Sequence, residues 1–355
     1  MTGVFDHPWL SGLFADEEIA ALWSADAQLG HMLAFEAAWS RHGHLAGLWN
    51  KDEGAKAAVA IAGAEITPDD LRDGTARDGV CVPALVRLLK ERTGATAVHT
   101  GATSQDVIDT ATVLSLVRSL DVIDVRLGQV AARLGDLEAR YGQRSLMGRT
   151  RMQAAVPMTV ADRVATWRLP LHTHRDRLTQ LRPRVALVQI GGAVGDRAAL
   201  GDGADTLCAA VAQELGLSLT DRSWHSQRDG IAEAASVLSL ITGSLGKIGQ
   251  DICLMAQQGI DDITLAGGGA SSAMPHKRNP IEAELLVTLA RFNAVQLSGM
   301  HQALVHEQER SGAAWTLEWM LLPQMVEAAG RALTVADALA NAVTGIGGTA
   351  SEAAP

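Results

Sequence analysis

Val113, Leu116, Leu120, Ile123, Leu127, Val130, Leu134 and Leu137 alternate spacings of three and four without a break. That is the apolar seam of a helix packed lengthwise against other helices. A helix over 106–141 would be roughly 54 Å long at 1.5 Å per residue. The spacing returns in Ala234, Leu238, Ile241, Leu245, Ile248, Ile252 and Met255. A third long run follows Pro280, and Pro157 to about Arg182 suits a fourth. No strand-like alternation of similar length occurs, so the expected class is all-α, built as a bundle of very long helices. Such helices outgrow a compact monomer of 355 residues, so several chains are expected to share one bundle. Pro8, Pro68, Gly74, Gly79 and Pro83 break the first hundred residues into short helices and loops. The expected division is a small helical domain over 1–105, the long-helix bundle over 106–340, and a flexible tail over 341–355.

Composition narrows the partners. Hydrophobic residues make up 47% of the chain, enough for a large core. The formal charge of −10 argues against nucleic acid and anionic membrane, which need a basic face. The three cysteines, Cys81, Cys208 and Cys253, are widely spaced and form no disulfide framework or CxxC motif. The N-terminus lacks a basic region followed by an unbroken apolar stretch, and no charge-free run approaches the ~18 residues of a membrane span. A cytoplasmic protein is the expectation.

Between two of the apolar runs lies GGGASSAMPHKRNP, residues 267–280. Lys277 is followed by Arg, so this is no P-loop, and no strand precedes it, so it is no dinucleotide fingerprint. Its end reads as a helix start, with Asn279 as N-cap, Pro280 in the first helical position and Glu282 close behind. A helix N-terminus attracts anions, Lys277 adds a charge beside it, and the glycines allow movement. HTGATSQD, residues 99–106, brings another polar cluster to the start of the longest predicted helix. GRTRMQAAVP, residues 148–157, sets Arg149, Arg151 and Gln153 ahead of another helix. Taken singly, the three segments also read as a mobile interhelix loop, an N-cap and a solvated surface. The pairs His42/His44 and His172/His174 place i and i+2 on different helix faces, and no HExxH occurs, so no metal is expected.

In this order, the three segments resemble the three signature regions of the fumarase/aspartase superfamily. Residues 270–280 are similar to its GSSxMPxKxNP motif, with Ala270 where the family usually has glycine. The resemblance extends from about residue 20 to about residue 335. It implies a homotetramer around a twenty-helix core, with each active site assembled from three chains. It also implies roles: Ser272 as the loop acid/base, Lys277 and Asn279 holding and polarising a substrate carboxylate, Thr103, Ser104 and Gln153 as further contacts, and His99 in binding or proton handling. The family usually carries a further small C-terminal helical domain, which is expected to be absent here.

The second region departs from that pattern. Relatives that eliminate water, ammonia or amines often read GRTH there, and their histidine pairs with the glutamate matched by Glu284. Here the histidine position holds Arg151. A guanidinium cannot shuttle protons at neutral pH, so Arg151 is expected to pair with Glu284 or to fix a substrate carboxylate, alongside Arg149. Elimination needs a base at carbon and an acid at the leaving group. Lactonisation needs only a proton donor, because the substrate's own ionised carboxylate attacks, and positioning replaces nucleophile activation. QERSGAAWTLEW at 308–319, which includes Arg310, and QIGGAVGD at 189–196 also resemble the superfamily's cycloisomerase branch. The resemblance therefore implies lactonisation of the small tricarboxylate 3-carboxy-cis,cis-muconate in aromatic catabolism, with Arg310 among the substrate contacts and no cofactor. The alternative is an amine-eliminating lyase of the adenylosuccinate type, since MPHKRNP is common to both.

Overall fold

The computed structural model describes residues 3–270, 274 and 277–348. Labelling the helices of twelve residues or more, an N-terminal group holds α1 (Ala25–His42), α2 (Lys51–Ala62) and α3 (Val82–Thr93). Then α4 (Ser104–Tyr141) runs unbroken for 38 residues. A hairpin of β1 (Ser145–Thr150) and β2 (Gln153–Thr159) leads into α5 (Val160–Val185), and α6 (Ala204–Leu215) and α7 (Asp229–Met255) follow. Strands β3 (Ile263–Leu265), β4 (Gly269–Ala270) and β5 (Arg278–Asn279) precede α8 (Ile281–Gln302), α9 (Ala313–Asn341) and β6 (Val343–Ile346).

Both apolar seams face inward. Every seam residue of α4 is at most 2% exposed, and every one of α7 at most 7%. They meet α5, α8 and α9 in a single large core, in which each apolar side chain is excluded from water along the whole bundle. Helix α7 is long and apolar enough to cross a membrane by length and composition, but most of that stretch is buried in this core and it carries Glu233, Lys247 and Asp251. A second core joins α1, α2 and α3 to the first turns of α4 and to α6. The packing therefore runs past the sequence boundary at 105, because Val188, Ile190, Leu207 and Val211 return to cover the N-terminal helices.

The all-α class holds, with two details changed and one added. Among the described residues the helices are joined by three two-stranded ribbons, β1–β2, β3–β6 and β4–β5, which the sequence pattern did not show. Strands of two to seven residues are too short to stand out by alternation. Of the stretch read as a flexible tail over 341–355, Asn341 ends α9 and Val343–Ile346 form β6, which pairs with β3 and buries Val343 and Ile346; residues 349–355 lie outside the described residues. Asn279 is not an N-cap. It pairs with Gly269 in the β4–β5 ladder, and Pro280 occupies the cap position of α8 with no side-chain cap.

Candidate active site

Helix α4 sorts the predicted residues into two groups. The 99–106 segment lies at its N-terminus and the β1–β2 hairpin just past its C-terminus. At 1.5 Å per residue these ends stand about 57 Å apart, so one chain cannot bring both to one substrate.

At the N-terminal end, Thr103 caps α4 and its backbone N–H donates to Asp106 (3.0 Å). Asp106 is fully buried and also accepts from the N–H groups of Gly191 (2.8 Å) and Gly192 (3.1 Å) and meets Nε2 of His225 at 2.8 Å. A carboxylate in the first turn of a helix is further favoured by the helix dipole. Asp106 thus locks the QIGGAVGD segment onto the start of α4. Ser104 opens the helix and is half-buried. Arg310 completes the joint: its guanidinium donates to Thr103 Oγ1 (2.9 Å) and to the carbonyls of Gly192 (3.1 Å) and Ala193 (3.0 Å). Three sequence segments that share no local signal meet at this one side chain.

His99 sits beside them with φ of 60°, in the left-handed region that a non-glycine residue rarely adopts. Its Nδ1 lies 2.6 Å from Oε1 of Glu36 on α1. Burial by itself would lower the affinity of this imidazole for a proton. The hydrogen bond and charge of Glu36, with Asp106 beyond it, outweigh burial and the opposing Lys90, and hold the His99 pKa above its ordinary value.

Behind this cluster a buried ion network braces the helices. Arg228 donates both terminal nitrogens to Asp109 (2.7 and 3.1 Å) and its Nε to Glu318 (2.9 Å), and it stacks over Trp224 at 4.7 Å. Asp109 also accepts from Trp315 (2.9 Å) and Gln105 (3.1 Å). A largely apolar cleft of about 300 Å³ opens next to it, with Trp23, Met32 and Trp319 in its wall.

The other end is built differently. Arg151 and Met152 form the two-residue turn of the hairpin, with φ of 50° and 66°. A turn left-handed at both positions matches strand twist but is normally made by Asn and Gly. Residues 151–157, including Gln153, are all exposed within the chain. Arg149 pairs with Asp262 and Arg163 with Asp251 (3.1 Å) around a pocket of about 340 Å³. Arg151 lines that pocket, and among the described residues it has no ion pair. The expected Arg151–Glu284 pair is therefore not formed within the chain, where Glu284 is exposed in the first turn of α8. Lys277 is exposed, and its backbone N–H donates to Met274 (2.9 Å). Ser272 lies outside the described residues. The loop enters through Gly267 and Gly268, at φ of 84° and 117°.

Sequence reasoning passed over Glu36, Asp106, Asp109, His225, Arg228 and Glu318. One signal was available: Glu36 falls on the apolar stripe of α1, between Met32 and Trp39, where an unpaired carboxylate is costly. The histidine pairs separate. His42 meets Glu214 (2.7 Å), His174 is buried against Ser244 (2.8 Å), and His172 is exposed. Among the described residues no group of three or more His, Cys, Asp or Glu side chains could hold a metal.

The family described as "Lyase" matches residues 34–312. The chain is 37% identical over 334 residues to a Pseudomonas aeruginosa protein named 3-carboxy-cis,cis-muconate cycloisomerase, covering 92% of this chain and 73% of that one. It is 31% identical over 330 residues to N-acetyl-S-(2-succino)cysteine lyase of Enterococcus italicus, covering 91% and 72%. Among solved structures, 3-carboxy-cis,cis-muconate lactonizing enzyme from Pseudomonas putida superposes with a TM-score of 0.89 at 36% identity, covering 95% of this chain and 77% of that one. With the long-helix bundle and the matched signature segments, these likenesses agree: the chain belongs to the lyase family of the fumarase/aspartase superfamily.

Proposed function

We propose that this chain is a cofactor-independent cycloisomerase that closes 3-carboxy-cis,cis-muconate to a carboxymuconolactone in aromatic catabolism. The observation that carries the reading is the likeness, over nine-tenths of the chain, to proteins named for that reaction. The substitution at 151 supports it. An arginine there leaves one proton carrier, and ring closure needs one, because the substrate brings its own ionised nucleophile.

In the proposed mechanism, Arg149, Arg151, Gln153 and Asn279, with Thr103, Ser104 and Arg310 from the other end of a neighbouring copy, hold the three carboxylates. One carboxylate oxygen adds to the adjacent double bond. Negative charge builds on another carboxylate as an aci-carboxylate, stabilised by Lys277 and by helix N-termini. Ser272 gives its proton to the α-carbon and is reprotonated from solvent after product leaves. His99 adds a positive charge near the substrate, and Glu284 faces Arg151 across the interface.

Assembly from several copies is part of the proposal. The 57 Å between the two groups, roughly, is one support. Another is the apolar surface on the bundle helices, where Val125, Leu169, Val295 and Met320 are exposed within the chain. A homotetramer with a small N-terminal domain over 1–105 and a bundle domain over 106–340 fits both.

The test is direct. Purified protein mixed with 3-carboxy-cis,cis-muconate should consume the diene's ultraviolet absorbance, and Ser272→Ala should abolish the signal while leaving the helical circular dichroism intact. The rival reading, an amine-eliminating lyase, draws support from the relative named as a lyase at 31% identity. Turnover of adenylosuccinate in a parallel assay, with an inert diene, would replace the first reading with the second.

A further inference from the structure

Glu36 is 0% exposed, yet its carboxylate has one hydrogen-bond partner among the described residues, His99 Nδ1 at 2.6 Å. Its second oxygen, Oε2, is buried and unpartnered. A buried carboxylate so sparsely satisfied is expensive unless a counter-charge neutralises it. His99 is the only basic side chain within ion-pair distance of it among the described residues. The imidazole keeps 18% of its side chain exposed. With Nδ1 taken by Glu36, Nε2 is the nitrogen left for a ligand. The backbone of His99 is held at φ of 60°, a cost that persists only where its surroundings over-determine it.

We infer that Glu36 is a positioning residue: it fixes Nδ1 of His99 as a protonated donor and holds the ring as an imidazolium with Nε2–H aimed outward as an anion contact. A buried acid thus sets the orientation of the ring and favours its charged form. The charges that face this ring are Glu36 on α1, Asp106 in the first turn of α4 and Lys90 on α3. Two are anionic, and Lys90 opposes them. This inference rests on the proposed function only in taking the outward nitrogen to meet substrate.

The experiment is a pH titration of ¹⁵N-histidine-labelled enzyme, with His99 resonances assigned by difference against His99→Asn. In the native protein His99 should carry protons on both nitrogens at neutral pH and titrate above the ordinary value of 6.5. In Glu36→Gln, which keeps an acceptor and removes the charge, the transition should move down by about one unit or more. The alkaline limb of kcat/KM should move with it, and kcat/KM at neutral pH should fall about tenfold to a hundredfold. Glu36→Asp should keep the native pH profile at reduced rate. Native His99 titrating at or below 6.5 overturns the inference without any variant, so a misfolded Glu36→Gln leaves the test standing. An unmoved transition in folded Glu36→Gln overturns it too. If His99 titrates as stated but the diene is inert, the proposed substrate fails and the dyad stands.

Discussion

The two ends of the bundle solve the same problem, presenting cations to an anion, in opposite ways. At the start of α4 the key side chains are tied to others within the chain: Asp106 ties down a loop, Arg310 donates to Thr103 and two carbonyls, and Glu36 meets His99. At the hairpin end Arg151 stands on an exposed turn without an ion pair among the described residues, beside Met152 at 74% exposure. The first end is braced because its central carboxylates, Glu36, Asp106 and Asp109, are buried and draw donors from distant segments. The second is unfinished in the same sense that an interface is, with apolar and charged groups still facing water.

If that contrast is right, damage to the two ends should read out differently. The largest effect should come from the network behind the first end. Asp109→Ala leaves Arg228 buried with half its compensation and should cost about 3–5 kcal/mol of stability, seen in denaturant melts. A loss below about 1 kcal/mol, the level of an exposed pair, would mean the network is not braced as described. Lys277→Ala should do the reverse. It should reduce kcat by roughly a hundredfold to a thousandfold with an unchanged melting temperature, because the side chain is exposed and acts on developing charge.

Arg151→His should leave stability within about 0.5 kcal/mol while raising KM, since a surface turn contributes little to folding. Unchanged turnover and inhibitor affinity would remove Arg151 from substrate binding. A pH ramp sharpens the same comparison. The folded pKa of His99 is raised, so its stabilising contribution is full below 6.5 and fades as pH rises through the raised value. Amide protection around 99–106 should therefore weaken on the alkaline side first, and the hairpin should not respond. The smallest effect is expected at the turn. Met152→Gly should relieve the left-handed strain and stabilise the hairpin by less than about 1 kcal/mol, raising the melting temperature slightly.

Much of this was legible from residues alone, and particular ones show why. The α4 seam predicted a helix over 106–141, and the helix runs Ser104–Tyr141, because apolar periodicity is a local consequence of helix geometry. The N-cap reading of the 99–106 segment was equally local, and Thr103 is the residue that fills it. Arg310 could be ranked as a contact only by resemblance. Its three acceptors come from positions 103, 192 and 193, which no window joins. Asn279 was misjudged because a good N-cap residue was claimed first by a strand ladder with Gly269. Glu36 carries a local hint in its place on the apolar stripe of α1, but its partner His99 lies 63 positions away, beyond any local window.

The sequence by itself determined the helices, their buried faces and the chemical inventory of the loops, since these follow from spacing, capping and charge along a few consecutive residues. Only the tertiary structure decided which of those residues meet. It put 99–106 and 148–157 at opposite ends of a rigid rod and gathered 36, 99, 106, 225 and 310 at one of them, because pairing of distant groups depends on how the seams pack and on which buried charges each must neutralise.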